Sequence, residues 1–153
     1  MKEIYYTYNN EAIASCIFLA VLNKLGTLDV ARSCLILPFL LDDRTVKYLS
    51  TNQNTELTLE QMKKNKPLLF TSFNKRYLSL LPVTLNSLMI LYKSNQINIG
   101  KEIDTLRKMP IMLPYNTTLG ERLDKIINVI PTFLSIISNY STNQLYKSLN
   151  IQL

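Results

Sequence analysis

Apolar residues recur along this chain mostly at spacings of three and four, so helices dominate the expected structure. Asn10 stands before the first such segment, 11–25. An asparagine cap and an acid at the positive end, Glu11, both favour a helix start there. Gly26 follows as a left-handed stop. Ile13, Ile17, Ala20 and Val21 form one face, and Ala14, Phe18 and Leu22 widen it into the face of a core helix. The segment LDVARSCLILPFLLDD predicts a helix over 29–37 that ends or kinks at Pro38. Asp42 or Asp43 caps a short helix over 43–49, with Val46 and Leu49 turned inward. The polar run 51–57 reads as a loop.

Thr58 and Gln61 have the spacing of a capping box for a short helix to Asn65. Pro67 suits the first position of the next helix, on which Phe70, Phe73, Tyr77 and Leu81 share a stripe and Lys75 and Arg76 point away. Pro82 opens a further helix to Ser94, with Leu81, Leu85, Leu88, Met89 and Tyr92 as its inward stripe. Alternation at Ile97 and Ile99 predicts a short strand. The segment 106–115, apolar but broken by Pro110 and Pro114, is the expected return strand of a small ribbon. Thr117 or Thr118 caps a helix with the stripe Leu119, Leu123, Ile126, Ile127 and Ile130. Pro131 kinks that helix or opens another carrying Phe133, Leu134, Ile136 and Ile137. Ser141 and Gln144 repeat the capping box before a last helix with Leu145 and Leu149. The expectation is a mainly α fold: one compact multi-helix domain over 1–153 with a small β-ribbon. Three short helices followed by a ribbon are the outline of a winged helix.

The composition sharpens this reading. A chain of 153 residues suits one domain with a sizeable core. With 47% hydrophobic and 18% charged residues, either the core is large or some apolar surface meets a partner. Three glycines are too few for a many-turned β-sandwich. Cys16 and Cys34 each sit in an apolar run and read as buried thiols in a reducing compartment. The start MKEIYYTYNNEA lacks the organisation of a signal peptide. No apolar run approaches the ~20 residues that span a bilayer. The expected location is the cytoplasm, with no membrane partner.

The net charge of +6 is moderate, but its distribution is not even. Between Glu60 and Glu102 there is no acid, while Lys63, Lys64, Lys66, Lys75, Arg76, Lys93 and Lys101 all fall there. Such a stretch inside a folded region points to a nucleic acid or an acidic protein surface. Lys63, Lys64 and Lys66 cluster at a helix junction and, with Lys75, Arg76 and Lys93, are the candidate contact residues. A merely solvated face is the competing reading. Phe70, Phe73 and Tyr77 interleave with these cations, as residues that stack on unpaired bases do, but their spacing assigns them to the core. Tyr5, Tyr6 and Tyr8 can pack on the domain or on a partner.

Catalytic chemistry is scarce. The chain has no histidine, which removes the commonest general base and metal ligand and every Ser-His-Asp or Cys-His arrangement. Asp42 and Asp43 lack a nearby third carboxylate and read as caps before they read as a cation site. No glycine-rich phosphate loop is present. No enzyme activity, cofactor or metal is expected.

An asparagine-rich start into an apolar helix, then LILPFLLDDRTVKYL, then FNKRYLSLLPVTLNSLMIL and INIG, occur here in order. This order resembles the middle component of bacterial three-component ABC-ATPase systems. In these a small protein is encoded with an SMC/Rad50-like ATPase and an effector, often a nuclease; Lamassu-type anti-phage defence is one such system. The resemblance covers roughly 8–100. Its most specific pieces are Leu37-Pro38 with Arg44-Thr45, and Arg76 with Leu81-Pro82 and Thr84. The family frequently has a proline after the early asparagine, where this chain has Asn10. Residues 115–153 fall outside the resemblance and are a candidate second contact surface. The resemblance implies a non-catalytic accessory subunit that joins the ATPase to the effector and regulates it, meeting DNA through the complex. Two other readings stand beside it: a winged-helix DNA-binding regulator acting alone, and an enzyme with Asp42, Asp43 or Cys34 lining a cleft.

Overall fold

The computed structural model describes residues 9–106 and 120–153. Tyr5, Tyr6 and Tyr8, the expected caps Thr117 and Thr118, and Leu119 lie outside them. Helix α1, Glu11–Leu25, starts where Asn10 Oδ1 accepts hydrogen bonds from the Ala12 and Ile13 amides and stops at Gly26, whose φ of 80° suits glycine. A strand that the hydropathy pattern does not announce follows, β1, Thr27–Asp29. The Asp29 carboxylate then caps α2, Val30–Leu40. Helix α2 does not end before Pro38. It carries the proline in its last turns, and the Leu41 amide still reaches Leu37 O at 2.9 Å.

Helix α3 spans Asp43–Thr51, and α4, Leu59–Asn65, opens on the complete Thr58–Gln61 capping box. Pro67 begins a single 3-10 turn, Pro67–Leu69, instead of a longer helix. The two helices expected on either side of Pro82 are one, α5, Phe73–Lys93. Likewise Pro131 lies inside the unbroken α6, Glu121–Ser138. Both proline rings face solvent, where water can satisfy a carbonyl deprived of its amide partner. Helix α7, Thr142–Ser148, has the predicted Ser141–Gln144 box.

The ribbon consists of β2, Ile97–Ile99, and β3, Glu102–Thr105. The turn between them needs only Gly100 and Lys101, so β3 is the return strand; of the 106–115 segment in which that strand was expected, 107–115 lies outside the described residues. β1 joins it, giving an antiparallel sheet of order β1-β3-β2. Leu28 and Ile99 both register with Ile103, and Leu28, Ile97 and Ile103 are buried. This strand order, with α1 before β1 and a helix directly before the hairpin, follows the winged-helix plan. Helices α3 and α4 come between, and α5 takes the place before the wing.

Helix α5 packs against α1 and α2, while α6 packs against α1 and α3. At their meeting point Phe39 lies 4.7 Å from Phe73 and 5.2 Å from Phe133 between ring centroids, with Phe70 at 6.4 Å from both Phe39 and Phe73. Each such ring, fully buried, contributes roughly 1.5–3 kcal/mol. The C-terminal segment is tied back by polar contacts. Arg32 donates to Tyr140 O and to Thr142 Oγ1, Tyr146 OH donates to Ala31 O, and the Gln152 amide reaches Asn74 Oδ1.

Candidate interaction surface

The six basic candidates divide into two kinds. Arg76 does not point outward. Its side chain is 13% exposed, and Nε donates to Pro38 O at 3.1 Å, Nη1 to Ser72 Oγ at 2.9 Å and Nη2 to Leu69 O at 2.8 Å. Two of these acceptors belong to the last turn of α2 and the 3-10 turn, ends that leave carbonyls without amide partners and favour a cation. Asp42 Oδ2 lies 3.9 Å from Arg76 and accepts from Thr45 Oγ1 at 2.7 Å, while Oδ1 accepts from Arg44 Nε at 3.2 Å. Asp42 thus holds the N-cap position of α3 but spends its carboxylate on side chains, not on helix amides. Residues that look characteristic in the sequence, Pro38, Arg44, Thr45 and Arg76, converge on this one brace.

Lys63 is also turned to its own fold, donating to Ser148 O at 2.6 Å and so fastening α4 to α7. Lys64, Lys66, Lys75 and Lys93 are exposed. They do not form one patch. Lys75 and Lys93 sit at opposite ends of α5, about 27 Å apart at ~1.5 Å per residue. Nor is the region free of acids in space: Glu11 and Lys93 line the same recess of about 330 Å³ with Asn86, Met89 and Ile90. A gap in the linear order of carboxylates is closed by neighbours from other helices.

Phe73 and Tyr77 are buried and Phe70 is packed against the core, as their spacing predicts. The second stripe is different. Leu85, Met89 and Tyr92, expected inward, are 49%, 45% and 45% exposed. The inward face of α5 is Leu80, Val83, Thr84, Ser87, Leu88 and Leu91. Two small polar residues hide that face in the sequence. Ser87 Oγ donates to Val83 O at 2.7 Å, whereas Thr84 Oγ1 is buried without a hydrogen-bond partner.

A groove of about 720 Å³ between α3 and α6 is lined by Asp43, Lys47, Glu121, Arg122 and Lys125 among others. Its charges are largely committed to one another. Arg122 Nε donates to Asp43 Oδ1 at 2.9 Å, and its Nη2 donates to Asn9 Oδ1 and Leu41 O. Lys125, hydrogen-bonded to Glu121, holds that carboxyl below its ordinary range. Of the three groups that an enzyme would need in a cleft, Asp43 lines this groove and Asp42 and Cys34 do not. Cys34 is buried, donates to Val30 O and is pushed up by burial; burial also raises Cys16. Among the described residues no three His, Cys, Asp or Glu side chains gather to hold a metal, and no helix is long and apolar enough to cross a membrane.

The family model for the ABC-three component (ABC-3C) system Middle Component 3 covers residues 2–153, so the family likeness runs through the C-terminal helices and is not confined to 8–100. No curated protein and no solved structure matches the chain.

Proposed function

We propose, from the premise that this chain belongs to the Middle Component 3 family of ABC-three component systems, that it is a non-catalytic accessory subunit. It links an SMC-like ABC ATPase to an effector such as a nuclease and regulates that effector, in a cytoplasmic complex that defends against phage or plasmids. The family match along residues 2–153 is the observation that carries this reading. The committed ion pairs of the α3–α6 groove and the buried Cys34 agree with a subunit that leaves chemistry to others. The exposed Lys64, Lys66, Lys75 and Lys93 are the contact residues of the proposal. Lys63 and Arg76 hold the helices that present them. The C-terminal helices supply a second surface, and DNA is met jointly with the ATPase.

The alternative is a winged-helix regulator that binds DNA alone. In such proteins the helix before the wing reads the major groove with polar and basic side chains. Here the solvent face of that helix carries Leu78, Leu85, Met89 and Tyr92, which suits a protein partner better. Co-expression with the other two components of its own system tests the proposal. The chain should elute with them as one complex. If it stays free when both are present, the subunit reading is wrong, and steeply salt-dependent DNA binding by the isolated chain would favour the regulator.

A further inference from the structure

The outward face of α5 has a pattern of its own. Leu78, Pro82, Leu85, Met89 and Tyr92 are all exposed, and they follow one another at steps of four, three, four and three. That is the a/d alternation of a heptad seam, a spacing suited to pairing with another helix. A stripe of this length covers about 21 Å of helix at ~1.5 Å per residue. Scattered exposed leucines require no explanation, but a continuous row of apolar side chains marks an interaction site. Because α5 is already packed on α1 and α2 through its other face, this row is a second, independent face of the same helix.

Charge selects the occupant. Lys75 and Lys93 stand at the two ends of the row on the same side of the helix, five turns apart at ~3.6 residues per turn. Both are exposed and neither is in an ion pair among the described residues; Glu11 lines the recess beside Lys93, so Lys75 is the flank with no acid in a recess described above. Two copies of this chain paired antiparallel through the row would set Lys75 against Lys93. Paired in parallel they would set each lysine against itself. Like charges flanking a seam disfavour both arrangements. A helix with apolar residues at heptad spacing and Asp or Glu flanking them satisfies row and lysines together.

We infer that the solvent face of α5 docks an amphipathic helix with acidic flanks from another component of the system. This rests on the accessory-subunit reading and names the chemistry of its partner. The test co-expresses the chain with the other two components and places a photo-reactive benzoylphenylalanine at Leu85. Cross-links should fall on a partner segment with heptad-spaced apolar residues and neighbouring acids. Leu85→Asp with Met89→Asp should cut recovery of the complex at least tenfold, and Lys75→Glu with Lys93→Glu severalfold. These residues are exposed, so the variants should keep the circular dichroism spectrum and melting temperature of the wild type. Wild-type recovery of the Asp variant, or cross-links only to a second copy, overturns this inference and leaves the subunit reading standing. Failure of the wild type itself to assemble overturns both.

Discussion

Arg76 Nε sits 3.1 Å from the carbonyl oxygen of Pro38, so the guanidinium of one helix closes the end of another. The same group also holds Ser72 Oγ and Leu69 O, and Asp42 lies beside it. Removing it strands several largely buried acceptors. Hydrogen bonds to a charged group contribute ~1.5–3 kcal/mol, so Arg76→Ala should lower the unfolding free energy by about 3 kcal/mol. Lys75→Ala, one residue away and exposed, should change it by less than ~0.5 kcal/mol. Urea denaturation of the two variants makes the comparison. Equal effects would reduce Arg76 to a surface cation.

Thr84 offers the opposite test. Its hydroxyl is buried without a partner, so the protein bears a desolvation cost and gains no bond. Thr84→Val keeps the shape and removes the polar atom. Thermal unfolding should show a gain of about 1 kcal/mol. A loss would reveal a bridging water that the valine displaces.

Alkaline pH should weaken the fold through the thiols and phenols whose pKa the fold raises, Cys34 and Tyr146 among them. Burial raises Tyr146, with its hydrogen bond to Tyr77 adding to the shift, and burial raises Cys34. For a folded-state value raised above the unfolded one, stability is complete below the unfolded value and is lost as pH climbs towards and through the folded value. The window therefore opens above the ordinary thiol and phenol values, about 8.5 and 10. Melting temperature should be level from about pH 7 to 8 and should fall beyond them. Tyr146→Phe starts lower, having lost the bond to Ala31 O, but its decline above about pH 10 should be shallower. An identical slope in both proteins would rule out Tyr146 as a contributor.

Local stability of the C-terminal helix should depend on its cap and its tether. Ser141→Ala removes one half of the capping box and should cost about 1 kcal/mol. Lys63→Ala releases Ser148 O. Both changes should speed amide hydrogen exchange in α7 while leaving α5 protected. Unchanged exchange in α7 would mean that the packing of Leu145 and the bonds of Arg32 and Tyr146 hold it without the cap or the lysine.

These comparisons show where sequence and structure part. Caps were legible because they are local: Asn10, Thr58 with Gln61, and Ser141 with Gln144 each sit within one turn of the amides they serve. The prolines misled because tolerance of Pro82 and Pro131 depends on which side of the helix faces water, a tertiary property. β1 escaped notice because three residues carry no periodicity; it exists through its pairing with β3. The apolar row of α5 was visible, but its direction was not. Hydrophobicity alone assigned Leu85, Met89 and Tyr92 inward, and the true inner face includes Ser87 and Thr84. Arg76 was found as a cation and misplaced as an outward one, since its partners lie 7 and 38 residues away.

The ties between the two ends of the chain also bear on the order of synthesis. Arg32 and Ala31 emerge from the ribosome early, yet their bonds are to Tyr140 and Tyr146, 108 and 115 residues later. Until the last helix is free of the exit tunnel, α2 lacks the groups that cover its beginning. A nascent chain can collapse around α1, α2 and α5, but its loop closures of highest entropic cost come last. The fold then closes only once α7 has emerged, so partners that require the finished surface cannot engage it earlier.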